Sequence, residues 1–161
     1  MRTDDSPVAA LPKPGRLEWI GLTPVAGAAL HQVPQAAAAV GQGLTGDHHA
    51  KKRPTKREVT IIQQECLPVI AACLGADSVR PEQLRRNLSV SGINVVSLKD
   101  CRFQIGEVLL EGTGHCPPCE RMEDTLGPGG LRATCGQGGI TARVVRAGTL
   151  RLGDQVRVVA E

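Results

Sequence analysis

Four short aliphatic and β-branched runs, each set off by glycine, occupy residues 87–91, 103–110, 140–146 and 155–159, and they restrict the fold more than any other feature. Runs of this length and spacing read as strands joined by tight turns. The chain also echoes itself. Phe103-Gln104-Ile105-Gly106-Glu107 resembles Leu150-Arg151-Leu152-Gly153-Asp154, each an apolar pair, a glycine and an acid leading into an apolar run. Glycine at the same place in two such turns suits the sharp bends of a small closed barrel. Two strands precede these: Leu17-Glu18-Trp19-Ile20-Gly21-Leu22, stopped by Thr23-Pro24, and Glu58-Val59-Thr60-Ile61-Ile62, continuous enough to be buried.

Helical signals are fewer. The alanine-rich stretch 33–40, with Pro34 near its start and Gly41 and Gly43 after it, predicts one or two turns of helix. Leu67, Ile70, Ala71 and Leu74 stand at helical spacing, and Gly75 closes that helix. Cys66 and Cys73, seven residues apart on it, are expected as small apolar members of its packed face. The expected fold is mainly β (α+β), a barrel-like β core with two or three short peripheral helices. Residues 1–16 read as a loose tail and 17–161 as a single domain, in line with the length of 161 residues.

Such a core must be built almost without aromatics, because Trp19 and Phe103 are the only ones. Modules that stack bases on successive aromatic rings are thereby excluded, and a net charge of +3 does not restore them, so nucleic acid is not an expected partner. No stretch approaches the roughly 18 consecutive apolar residues that cross a bilayer, so no membrane partner is expected. Residues 1–16 carry Asp4, Asp5 and three prolines without an apolar run and do not read as a secretory signal. A cytoplasmic, reducing setting is the expectation, and the six cysteines are then mostly thiols.

The most specific local feature is His115-Cys116-Pro117-Pro118-Cys119. A helix opening at Pro117 would put Cys119 in its first turn, where free N–H groups favour a thiolate. Such a thiolate serves a soft metal, a persulfide or attack on a disulfide. A structural zinc site would need two more ligands from His115, Cys101, Cys135, His48 or His49, and a thioredoxin-type centre would need a parallel α/β setting. Arg57 just before one strand and Arg85-Arg86-Asn87 at the start of another are expected to meet in a common mouth that grips phosphate or carboxylate. The loop Gly43-Leu44-Thr45-Gly46-Asp47-His48-His49 offers an acid and two histidines, each either a functional group or a loop residue.

These pieces, in this order, resemble the MOSC domain, the C-terminal module of molybdenum-cofactor sulfurases that also occurs alone in bacteria. Trp19-Ile20-Gly21 resembles the family's opening strand, Gly43 to His49 its Gly-Leu-x-Gly-Asp loop, and Arg57-Glu58-Val59-Thr60-Ile61-Ile62 its Arg-x-Val-Thr-Leu-Ile segment. Arg85-Arg86-Asn87-Leu88 is similar to the Arg-Arg-Asn motif, Pro118-Cys119 to the Pro-Cys signature, and residues 139–158 to the closing hairpin. Where the family loop commonly reads Gly-Asp-Arg-His, this chain has Gly46-Asp47-His48-His49.

The resemblance implies a barrel-like fold that binds the molybdenum cofactor, with Cys119 as the protein ligand to molybdenum. It further implies that Arg57, Arg85, Arg86 and Asn87 hold the pterin and its phosphate, with Asp47 and His48 near the metal. As in some relatives, the implied activity is reduction of N-hydroxylated small molecules, with Cys119, His48 and Asp47 as the catalytic set. No flavin, haem or iron–sulfur motif is present, so the electrons would come from a separate reductase. The alternative is a non-catalytic module that carries the cofactor, or sulfur as a Cys119 persulfide, for a cofactor-handling protein.

Overall fold

The computed structural model describes residues 10–48, 50 and 53–159. His49, Lys51 and Lys52, and most of the expected tail, lie outside the described residues. In chain order the strands are β1 (Gly15–Leu22), β2 (His31–Gln32), β3 (Gln35–Ala39), β4 (Gly43–Leu44), β5 (Val59–Gln63), β6 (Leu88–Ser91), β7 (Arg102–Ile105), β8 (Val108–His115), β9 (Ile140–Arg146), β10 (Gly148–Arg151) and β11 (Gln155–Val158). Three short helices are α1 (Cys66–Leu74), α2 (Arg121–Leu126) and α3 (Gly130–Thr134), and single 3₁₀ turns cover Pro81–Leu84 and Val95–Leu98.

The strands run β11-β7-β8-β9-β5-β6-β1, and β1 pairs back onto β11, which closes a seven-stranded barrel. Strand β1 manages this by changing partners along its length: Gly15 and Arg16 face β11, the middle faces β6, and Gly21 and Leu22 face β2. Bulges in the β1–β6 and β8–β9 ladders add the curvature that closure demands. Strands β5 and β6 run parallel, since α1 and the first 3₁₀ turn form a crossover between them. A small second sheet, β10-β3-β4, lies beside the barrel.

Alternation sorts the side chains into two cores. Ile61 points inward with Leu17, Ile20, Leu88, Phe103, Leu110, Ile140 and Val156, all fully buried, whereas its neighbour Ile62 joins Leu67, Ile70, Leu84 and Met122 under the helices. The expected mainly β, barrel-like architecture with short outer helices is therefore what the chain forms. Among the described residues no helix is long and apolar enough to cross a membrane.

Three local expectations are corrected. Residues 33–40 do not form a helix: Ala36 and Ala38 are buried and Gln35 and Ala37 exposed, as β3 pairs with β10 and β4. Alanine's helical preference is a weak one that pairing and burial on one face override. The run 103–110 is two strands, because Gly106 adopts φ 56° and turns β7 back as β8. The two echoed turns also touch, since Gly106 N–H donates to the Gln155 carbonyl at 3.1 Å and a Cβ on Gly106 would collide with the Asp154 carboxylate. Finally, Cys73 is exposed and Cys66 half-buried, because Leu67, Ile70 and Ala71 form the packed face of α1.

Candidate functional site

The ends of β1, β5 and β6 and the segment after β8 surround a cleft of about 180 Å³. Asp47, His48, Arg57, Arg85, Arg86, Asn87 and Cys119, the seven site residues expected from sequence, all line it. Thr23, Leu30, Thr60, Arg121 and Met122 complete the wall.

The loop after β4 is fastened to the end of β1 at two points. Thr23 N–H donates to Asp47 Oδ1 at 2.9 Å, and His48 N–H donates to the Thr23 carbonyl at 2.7 Å. Asp47 is thereby buried against the wall while His48 stays half-exposed beside it.

Arg85 sits in the left-handed region at φ 58°, an uncommon conformation for a residue with a Cβ. The two adjacent guanidinium groups find different partners. Arg85 Nη1 donates to the Ala28 carbonyl at 2.9 Å. Arg86 is buried and donates to three carbonyls, those of Gly138 (2.8 Å), Leu84 (2.8 Å) and Cys116 (3.2 Å). Burial lowers the pKa of both, and Arg121 lowers that of Arg85 further, while Cys116 and Cys119 act in the opposite direction on Arg86. Both remain cations near neutral pH, given arginine's very high starting value.

Asn87 is held entirely by its neighbours. Its Oδ1 accepts from Thr60 N–H and Oγ1, both at 3.1 Å, and its Nδ2 donates to the Gly21 carbonyl at 3.2 Å. Asn87 and Arg86 thus shape the cleft wall through bonds within the protein. Arg57, exposed just ahead of β5, reaches over to donate from Nη2 to Cys116 Sγ at 3.5 Å.

The cysteine segment is set by backbone contacts. Cys116 N–H donates to the Gly139 carbonyl at 2.9 Å and the Cys116 carbonyl receives Arg86, so this cysteine is 1% exposed. Neighbouring chain passes so close that a Cβ on Gly138 would collide with the Cys116 carbonyl and one on Gly139 with the Ile61 carbonyl. After two prolines the chain emerges, and Cys119 is exposed at the cleft. Its expected place in the first turn of a helix is corrected: α2 begins at Arg121 with Glu120 as its N-cap, because the paired prolines hold an extended segment ahead of the helix.

Sequence reading overlooked Arg121. Its signal was position, two residues after the exposed cysteine, but it stands among Glu120, Glu123 and Asp124 and reads there as one charge of a solvated helix face. Counting it, four arginines and one aspartate face the cleft. Of the other candidate ligands, Cys135 and His115 are exposed and Cys101 donates to the Ser97 carbonyl at 3.7 Å. Among the described residues, no group of three or more His, Cys, Asp and Glu side chains comes together.

A family model described as the MOSC domain matches residues 45–157. Among solved structures, the YuaD protein from Bacillus subtilis is similar with a TM-score of 0.80 and 23% identity, over 92% of this chain and 97% of that one. YiiM from Geobacillus stearothermophilus (TM-score 0.73, 15% identity, 91% and 75% coverage) and YiiM from Escherichia coli (0.70, 19%, 91% and 70%) share the same fold. No curated protein matches the chain.

Proposed function

From the premise that the chain belongs to the MOSC family, whose members are commonly associated with the molybdenum cofactor, we propose that its cleft binds that cofactor and serves a small molybdenum-dependent reductase. One observation carries this reading: an exposed thiol, Cys119, opens onto a cleft whose charged lining is four arginines against one aspartate.

The residues fit the group. A single soft thiolate suits a metal that arrives with its own sulfur ligands, and guanidinium groups suit the cofactor's phosphate. Cys119 would be the protein ligand, with Arg57 and Arg85 holding the anionic end. When bound, the cofactor supplies a metal that cycles between two oxidation states. Arg86 and Asn87 keep the wall in place, since their own hydrogen bonds fix the segments carrying Cys119 and Arg85. His48 is the proton donor in this reading, because an imidazole gives and regains a proton near neutral pH. Asp47, fastened through Thr23, stands next to it as the fixed negative charge.

The substrate class proposed is an N-hydroxylated small molecule. Cleaving its N–O bond takes two electrons and two protons and releases water, with the electrons supplied by a separate reductase. The exposure of Cys119 also favours a second reading, a carrier that hands cofactor or persulfide sulfur to a partner protein.

The test is elemental analysis of protein made in a cofactor-producing host, with Cys119→Ser in parallel. Molybdenum near one per chain in the parent and absent from the variant is the expected result, and equal metal in both would sink the assignment. An artificial electron donor with a hydroxylamine substrate then separates the readings, since a reductase turns over and a carrier does not.

A further inference from the structure

Three of the four cleft arginines already have acceptors within the protein. Arg57 donates to Cys116 Sγ, Arg85 to the Ala28 carbonyl, and Arg86 to three carbonyls. Arg121 differs from them. It is exposed, it lies two residues beyond Cys119, and among the described residues its guanidinium makes no hydrogen bond or ion pair.

Its position makes this notable. Arg121 is close enough to Arg85 for the two charges to repel; Asp47 attracts Arg85, whereas among the described residues Arg121 has no ion pair of its own. The acidic neighbours do not supply one. Glu123, on the same helix, accepts from the N–H groups of Gly129 and Leu131 with its two oxygens. A planar guanidinium fork in that situation is suited to a carboxylate or phosphate arriving from solvent.

Two anions could arrive, the cofactor's phosphate or a group on the substrate. Arg85 is half-buried in the cleft wall, whereas Arg121 is exposed and lies two residues from the exposed thiol, which suits it to a group that arrives from solvent. We infer that Arg121 is a substrate-binding residue, and that the cleft prefers N-hydroxylated compounds carrying a negatively charged group. This rests on the proposed reductase reading and narrows its substrate class.

The experiment is calorimetric titration of the protein from the cofactor-producing host, without an electron donor so that no turnover occurs. The probes are benzhydroxamic acid and 4-carboxybenzhydroxamic acid, with molybdenum measured on every sample. The parent is expected to bind the carboxylated probe about tenfold tighter, the size of one charge-assisted hydrogen bond. In Arg121→Gln that ratio falls to about one, in Arg121→Glu it inverts, and Arg121→Lys retains part of it. Molybdenum content is expected to be equal in parent and Arg121→Gln.

A preference that survives in Arg121→Gln overturns the inference. So does loss of molybdenum in that variant, which would assign the guanidinium to the cofactor's phosphate. A parent without molybdenum defeats the proposed function, while the affinity ratio and its loss still decide the role of Arg121.

Discussion

Thr60 and Asn87 are tied three times over at the start of the parallel β5–β6 pair. Asn87 Oδ1 accepts both the Thr60 N–H and the Thr60 hydroxyl, and Asn87 N–H donates to that hydroxyl oxygen at 3.0 Å. The amide nitrogen carries the link on to the Gly21 carbonyl of β1, so one buried side chain joins three barrel strands. Asn87→Ala leaves the buried Thr60 N–H and the Gly21 carbonyl without that partner. The expected cost is about 2–4 kcal/mol, read as a lower urea midpoint with an unchanged slope. Asn87→Asp keeps the acceptor but loses the donor and buries a charge, so it should fare no better. Parent-like midpoints for both would contradict this account of the junction.

Arg86 does for the cysteine segment what Asn87 does for the strands. Its planar group reaches carbonyls on three separate stretches of chain, and a lysine ammonium, a compact point donor, does not reproduce that fork. Arg86→Lys is expected to cost about 2–3 kcal/mol and to lower molybdenum content, although Arg86 itself touches the metal at no point in the proposal. Full molybdenum content in a destabilised Arg86→Lys protein would confine this residue to the fold.

Much of this was legible in the sequence because the signals were local. The strand of Ile61 and Ile62, the helix closed by Gly75 and the strand at Ile140–Arg146 follow from short-range pattern. The alanines of β3 misled because their pairing with β10, more than a hundred residues away, decides their conformation. Cys119 and the arginines stood out by motif order, yet the sequence could not separate Arg57, which reaches a thiol, from Arg86, which is enclosed by carbonyls. That difference depends on burial, which residue type and spacing do not encode. Arg121 was hidden for the same reason: its importance lies in what surrounds it after folding.

The cysteines separate by environment, and their reactivity should follow. Cys119, Cys73 and Cys135 are exposed, Cys116 is buried, and burial together with the Glu65 carboxylate pushes the Cys66 thiol up. A raised thiol pKa means less thiolate at a given pH, and the thiolate is what reacts. Alkylation with iodoacetamide at pH 8, followed by peptide mass spectrometry, should label the exposed three first, Cys66 later and Cys116 last. Cys73→Ser should change stability by no more than about 0.5 kcal/mol, and Cys66→Ser should cost about 1 kcal/mol. Early labelling of Cys116 would mean that its segment opens far more readily than its hydrogen bonds suggest.

Glu107 gives the fold an acid-sensitive point away from the cleft. Its Oε1 accepts the Thr149 N–H at 2.8 Å and lies 3.5 Å from Arg151 Nη1, tying the β7–β8 turn to β10. That backbone hydrogen bond, with the Arg151 charge behind it, holds the Glu107 carboxyl below its ordinary range. Because the folded value is the lower one, the unfolded chain binds the proton first. The stabilisation is present above the unfolded carboxyl value of about 4.3 and is lost as pH falls through the folded one. Glu107→Gln keeps an oxygen for Thr149 but does not titrate, so its stability should fall less steeply than the parent's between about pH 5 and 3. Urea midpoints measured across that range decide the matter: parallel curves for parent and variant would remove Glu107 from the acid response, and a steeper parent curve would assign it there.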